Sequence, residues 1–381
     1  MATRRRRVGI VGLGSVAEPH LLAYQRLPEV EVVGVADPRS ERRSEISARY
    51  AVPAHASCAQ LLAEEKPDVV CVLTPASTHR AIVEECAVSG AHILCEKPLA
   101  VSLNDAQAIV RVCRDSHVEL CYGSSYRHLP GVIAAKGIID SGSIGAVRLV
   151  VEQMVGGCGA ESYRALSPAH YPLGGPGGGG YGLVDHGIHM LDIFPWLCGS
   201  ALDLVLGNGD RTGAPARPEF ALLRMTNGAL GQLLYDQSTW PSHLPAEGVF
   251  SEGKRWVDGR GWVGEAGGWD AGAGHISVFG DRGSLRIYHY ANQLLVNRGA
   301  GPESVELSSQ TTPWHFGTQM RAFCADLDVG KAPACGGNEA LGALRALRAL
   351  YRSQSTGCWQ AVSSDDDQAD GSPALASTAS Q

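Results

Sequence analysis

The chain has 381 residues, 44% apolar and 19% charged, with a net charge of −7; that length allows about two or three domains. Glycine and proline (47 and 20 residues) stay below the ~25–30% of low-complexity chains, which excludes a disordered or collagen-like protein. Without a basic excess no nucleic-acid partner is expected, and with no apolar run approaching ~18 residues no membrane partner is expected either.

At the start, Arg4 to Arg7 before Val8-Gly9-Ile10-Val11 imitate a secretory leader, but Glu18, Pro19 and His20 break the apolar stretch, so a cytoplasmic chain is expected. The eleven cysteines are scattered and contain no C-x-x-C pair. They read as buried, reduced thiols rather than a disulfide framework or zinc ribbon.

Residues 1–123 alternate short apolar runs with helix-favouring segments, the pattern of βαβ units over a parallel sheet. Strands are expected at 8–11, 30–36, 68–73, 91–95 and 118–122, with helices at 15–27 (stopped by Pro28), 40–50, 78–89 and 104–116. Between the first strand and first helix lies Gly12-Leu13-Gly14-Ser15-Val16-Ala17, a G-x-G-x-x-A. Gly12 permits a tight turn, Gly14 lets the backbone approach a pyrophosphate, Ala17 keeps helix and strand close, and the helix N-terminus offers free N–H groups. Asp37, ending the second strand, suits the ribose hydroxyls and repels a 2′-phosphate, so NAD is favoured; Arg39, Arg42 and Arg43 behind it leave NADP possible.

Residues 124–358 change texture. A helix is expected at 130–141 and strands at 147–155, 220–223, 230–236, 275–279, 284–290 and 293–297, joined by turns such as Thr226-Asn227-Gly228 and Asp281-Arg282-Gly283. Two helices at 316–328 and 338–352 close the unit. The fold class expected is therefore α/β, a Rossmann dinucleotide-binding domain followed by an α+β domain with a mostly antiparallel open sheet. From 359 to 381 the chain holds Asp365, Asp366, Asp367 and Asp370 but no Lys or Arg, so a disordered acidic tail is expected.

Three clusters carry chemistry. Thr74-Pro75-Ala76-Ser77-Thr78-His79 and Glu96-Lys97-Pro98 each follow a strand at the carboxyl edge of the sheet, where α/β folds bind ligands. A fixed ammonium there can stabilise a developing alkoxide, although lysines are usually solvated surface charges. In the second unit Asp185 and His189 stand four apart at the start of a helix, on one face, where a carboxylate orients an imidazole for proton transfer. A metal site of Asp185, His186 and His189 is the weaker reading, because His186 points about 100° away from Asp185. No metal is expected.

Gly12-x-Gly14-x-x-Ala17, Asp37, Thr74-Pro75 with His79, Glu96-Lys97-Pro98, Tyr126-Arg127 and Asp185-x-Gly187-x-His189 together resemble the Gfo/Idh/MocA oxidoreductases. The resemblance implies reversible hydride transfer at a carbinol carbon of a sugar, cyclitol or related polyol. It also implies a homodimer or homotetramer formed through the C-terminal sheet. Gly12, Gly14, Ser15, Val16, Asp37, Arg39, Thr74, Pro75, His79, Glu96 and Lys97 would bind NAD. Lys97, Asp185 and His189 would be catalytic and, with Tyr126 and Arg127, would contact substrate, though Arg127 could equally be a structural ion-pair partner. The Lys97-Pro98 bond would be cis. Two other readings use the same residues: a redox-neutral NAD-dependent glycosidase and a non-catalytic dinucleotide sensor.

Three features depart from the pattern. Pro195 should kink the helix that begins near Asp185. The glycine-rich stretch 174–180 reads as a mobile active-site loop. Trp256, Trp262 and Trp269 within 247–274 could stack on sugar faces, cross a subunit interface or pack on each other.

Overall fold

β-Branched runs become the centre of a six-stranded parallel sheet. In the computed structural model, which describes residues 5–155, 185–208, 219–236, 275–288, 292–308 and 314–363, the strands are β1 (Arg6–Val11), β2 (Val30–Ala36), β3 (Ala54–His55), β4 (Val69–Val72), β5 (His92–Glu96) and β6 (Leu120–Gly123). Their order is β3-β2-β1-β4-β5-β6. β4 is buried along its whole length, as burial on both faces of a parallel sheet demands. The helices are α1 (Ala17–Tyr24), α2 (Ser40–Tyr50), α3 (Cys58–Glu65), α4 (Ala76–Val88) and α5 (Leu103–Asp115). The leading arginines belong to this sheet: Arg6 and Arg7 pair in register with Val30 and Glu31. The stretches 174–180 and 247–274 and the acidic run 365–370 lie outside the described residues.

A 3-10 turn (Ser125–His128) and α6 (Pro130–Asp140) lead into a nine-stranded sheet. Its strands are β7 (Val147–Val155), β8 (Leu202–Gly207), β9 (Glu219–Met225), β10 (Leu230–Asp236), β11 (His275–Gly280), β12 (Ser284–Tyr288), β13 (Gln293–Asn297), β14 (Pro302–Ser304) and β15 (Gln360–Ala361). They run in the order β14-β13-β12-β11-β7-β10-β9-β8-β15. All neighbours are antiparallel except β7 and β10. The inner face is covered by α7 (Gly187–Cys198) and α9 (Gly337–Thr356), whose alanines and leucines stack into the core. Helix α7 continues through Pro195 to Cys198.

Two boundaries differ from expectation. The sheet takes in Gln360 and Ala361, which pair with Val205 and Leu204, so the ordered chain runs into the expected tail. Helix α8 (Trp314–Asp328) does not stay with the second sheet. Its Phe316, Met320, Phe323 and Cys324 pack with Leu13, Leu21, Tyr24 and Cys71 of the first unit. Arg6 to Asp328 (2.5 Å) and Arg321 to Glu29 (3.1 Å) fasten the same seam. All ten described cysteines are free thiols, nine of them buried.

Candidate active site

The glycine turn leaves β1 at its carboxyl end. Gly12 has φ +96°, and a Cβ there would lie 2.7 Å from Thr74 Cγ2 and 2.8 Å from the Leu73 carbonyl, so only glycine fits. Gly14 is the opposite case: among the described residues, its chain neighbours aside, no heavy atom lies within 4 Å of where its Cβ would stand. That open space over the backbone, beside the N-terminus of α1, fits a pyrophosphate. Gly14→Val should therefore leave the denaturation midpoint unchanged while weakening NAD binding about tenfold or more, roughly 1.4 kcal/mol; calorimetric titration measures it. Ser15 and Val16 complete the turn, and Ala17 is fully buried.

Asp37 is 5% exposed at the end of β2. Its Oδ2 accepts the Leu13 N–H (2.8 Å), and its Oδ1 accepts the Arg39 main-chain N–H and Nε, both at 2.9 Å. Burial pushes this carboxyl up, but the Arg39 and Leu13 donors outweigh it and bring it down to about 2. Arg42 is tied to the Leu13 carbonyl (2.9 Å) and Glu18 (2.7 Å), and Arg43 to the Asp37 carbonyl (2.7 Å). Of the three arginines only Arg39, with 58% of its side chain exposed, stands beside the carboxylate at the rim.

At the end of β4, Thr74 Oγ1 accepts a hydrogen bond from the Thr78 hydroxyl at 2.8 Å, with Pro75 capping α4 between them. His79, expected as a cofactor contact, is held inside the protein. It is 0% exposed, with Nδ1 3.0 Å from the Leu99 carbonyl and Nε2 2.8 Å from the Thr74 carbonyl. Burial disfavours the charged ring, so the neutral imidazole donates through one nitrogen while standing between the carbonyls of the loops after β4 and β5. Glu96, also buried, takes the Lys97 N–H on Oε2 (3.0 Å) and faces His20 Nε2 across 3.3 Å from Oε1. The Lys97-Pro98 peptide is cis.

Lys97 then crosses to the second unit. Its Nζ donates to the main-chain carbonyl of Asp185 (3.0 Å) and to Asp185 Oδ1 (2.5 Å). One turn along α7, His189 is buried, and Tyr126 lies flat on it with ring centroids 4.0 Å apart and planes 6° apart. Tyr126 thus reaches the site by orienting the imidazole. Arg127, by contrast, is engaged as an ion-pair partner. It is buried, with Nε 2.7 Å from Asp192 Oδ2 and Nη2 2.5 Å from Asp192 Oδ1, and its guanidinium lies 5.0 Å above the Trp196 ring. Among the described residues no group of three His, Cys, Asp or Glu could hold a metal ion.

Sequence reasoning missed four buried groups around this site: His20, Glu152, Asp192 and His315. The signal for Asp192 and Glu152 was present, a lone charge in an otherwise apolar helix and in the inward-facing row of a strand. His315 is held down to about 3 by burial, with repulsion from His20 and His128 added. An unfolded histidine protonates near 6.5, so this one favours folding above that pH and the contribution is lost as pH falls from about 6.5 toward 3. Urea unfolding at pH 7 and 5 should show the loss, at most about 1.4 kcal/mol per pH unit per proton, and His315→Phe should flatten it.

Residues 6–124 match the family model described as an oxidoreductase family with an NAD-binding Rossmann fold, and residues 136–362 match its C-terminal alpha/beta domain. The chain is similar to the D-apiose dehydrogenase of Paraburkholderia graminis (26% identical over 228 residues, 59% of this chain). It is also similar to the rhizopine catabolism protein MocA of Rhizobium meliloti (30% over 196 residues, 51% of this chain). It spans 58% of the length of each. The fold is that of the aldose-aldose oxidoreductase from Caulobacter crescentus, with a TM-score of 0.75 at 22% identity over 94% of this chain and 100% of that one. With both models matched across most of its length, the chain belongs to the Gfo/Idh/MocA oxidoreductase family.

Proposed function

We propose that the protein is an NAD(P)-dependent dehydrogenase or reductase acting on a CH–OH carbon of a sugar, cyclitol or related polyol, with NAD preferred. The observation that carries this reading is the bond from Lys97 to Asp185, which ties the edge of the nucleotide-binding sheet to the residue just before the N-cap of the helix that carries His189. The nicotinamide of a dinucleotide whose pyrophosphate lies on the glycine turn would accept the hydride. The rest belongs to the chain. His189 takes the hydroxyl proton, and Lys97 stabilises the oxygen as negative charge develops. Asp185 keeps the ammonium aimed, while Tyr126 fixes the imidazole plane. The Asp37 carboxylate, ionised at neutral pH and already clasped by Arg39, supports NAD over NADP. The D-apiose dehydrogenase among the relatives supports the substrate class.

A homo-oligomer through the nine-stranded sheet is part of the proposal. Its outer face carries an apolar row, Phe279–Leu149–Leu230, with Phe279 41% and Leu230 48% exposed. A cytoplasmic location is supported by the free buried thiols. No described helix is long and apolar enough to cross a membrane.

The test is absorbance at 340 nm with NAD and NADP across a panel of sugars and cyclitols. Turnover with NAD is the expected result. Aglycone release without net cofactor reduction would assign a redox-neutral glycosidase. Tight dinucleotide binding without turnover would assign a sensor.

A further inference from the structure

A buried contact between a carboxylate and an imidazole adjoins the Lys97–Asp185 contact. Glu152 on β7 is 0% exposed, in a cross-strand row whose other members are Ile276 and Leu233. His186 Nε2 sits 3.0 Å from each of its carboxylate oxygens. Burying a carboxylate at the centre of a sheet is costly, and apolar replacements of such pairs are often neutral or stabilising. Its effect must therefore be sought in geometry.

His186 occupies the N-cap position of α7 yet makes no capping bond. Its ring descends instead to the sheet, held by Glu152, stacked on Tyr235 (5.5 Å, 27°) and touching Tyr126 (5.8 Å, 60°). The residue before it is Asp185, whose main-chain carbonyl and carboxylate both receive Lys97 Nζ. The Asp185 side chain is 45% exposed, so burial does not hold it. Tyr126, which also meets the His186 ring, is the tyrosine that lies on His189.

We infer that Glu152 and His186 form a positioning pair that anchors the start of α7 to the sheet. In doing so the pair fixes Asp185 against Lys97 and, through Tyr126, fixes the plane of His189. The inference rests on the proposed dehydrogenase reading for its kinetic arm only.

The test compares wild type with Glu152→Gln and with the double variant Glu152→Leu/His186→Phe. Two readouts are used: polyol oxidation kinetics, and the titration of Lys97 followed by NMR of protein whose lysines carry 13C-methyl groups, with Lys97→Arg assigning the resonance. The double variant should unfold at or above the wild-type denaturant midpoint. Its kcat should fall about 10–100-fold, the effect of a misplaced reacting group, while the KM for NAD changes less than about twofold. The Lys97 titration should move down toward that of Asp185→Asn, and Glu152→Gln should move it in the same direction. A folded double variant with wild-type kcat and an unshifted Lys97 titration overturns the inference. If the double variant does not fold, an unshifted Lys97 in Glu152→Gln overturns it instead. If wild type oxidises no polyol, the dehydrogenase reading fails separately, and the Lys97 titration still decides the positioning role.

Discussion

Replacing His189 with alanine should lower polyol turnover by about 10²–10⁴-fold, the range general acid–base help provides, with NAD still bound. The two effects separate because their residues lie on different elements. The glycine turn and Asp37 belong to the ends of β1 and β2, whereas His189 is carried by α7. Lys97→Ala should cost a comparable factor by leaving the developing alkoxide without a cation. Asp185→Asn should cost less than either, since the main-chain carbonyl of residue 185 still accepts from Lys97. Steady-state kinetics with calorimetric NAD titration reads both quantities, and wild-type-like rates in His189→Ala or Lys97→Ala would end the assignment.

The largest effect on stability is expected at Arg127→Ala. Asp192 would be left in a site 3% exposed without the guanidinium that meets both its oxygens, and breaking a buried pair in this way costs about 3–5 kcal/mol. Against the 5–15 kcal/mol typical of whole domains, that leaves a chain close to its unfolding threshold. The Ser124 hydroxyl also donates to Asp192 Oδ2 at 2.5 Å, so part of the carboxylate remains satisfied, and the lower end of the range is expected. Arg127→Met combined with Asp192→Leu should recover most of the loss. If Arg127→Ala instead keeps its denaturation midpoint and loses only affinity for polyol, then the guanidinium acts on substrate after all.

The nucleotide half was legible because its signals are local. A β-branched run, a spaced glycine pair and an acid at the end of the next strand each act within a few residues, and the parallel sheet follows. Of the site, Lys97, Asp185 and His189 could be picked out as chemistry-bearing residues at strand and helix ends. That Lys97 reaches Asp185 depends on a separation of 88 residues that no periodicity encodes. His79 and Arg127 show the opposite difficulty. A polar residue beside a ligand edge looks the same in sequence whether it faces the ligand or, as here, meets carbonyls and a buried carboxylate. Glu152 stood out as a charge in the inward row of β7, but its partner His186 lies 34 residues away. Helix α8 was expected in the right place along the chain but against the wrong partner, because an amphipathic pattern specifies a face and not what covers it.

The placement of α8 has a consequence for how the chain is made. Phe316 lies 4.1 Å from the ring of His20, and Met320 and Phe323 complete the cluster around Tyr24. Those aromatic and sulfur-bearing side chains leave the ribosome roughly 300 residues after their partners, or roughly 15–60 s later at about 5–20 residues per second. Throughout that interval the amino-terminal half carries an apolar slot with nothing in it. Nascent chains halted short of residue 328 should recruit chaperones that the finished polypeptide ignores, and a fragment ending at residue 123 should aggregate unless a synthetic peptide spanning 314–328 is supplied.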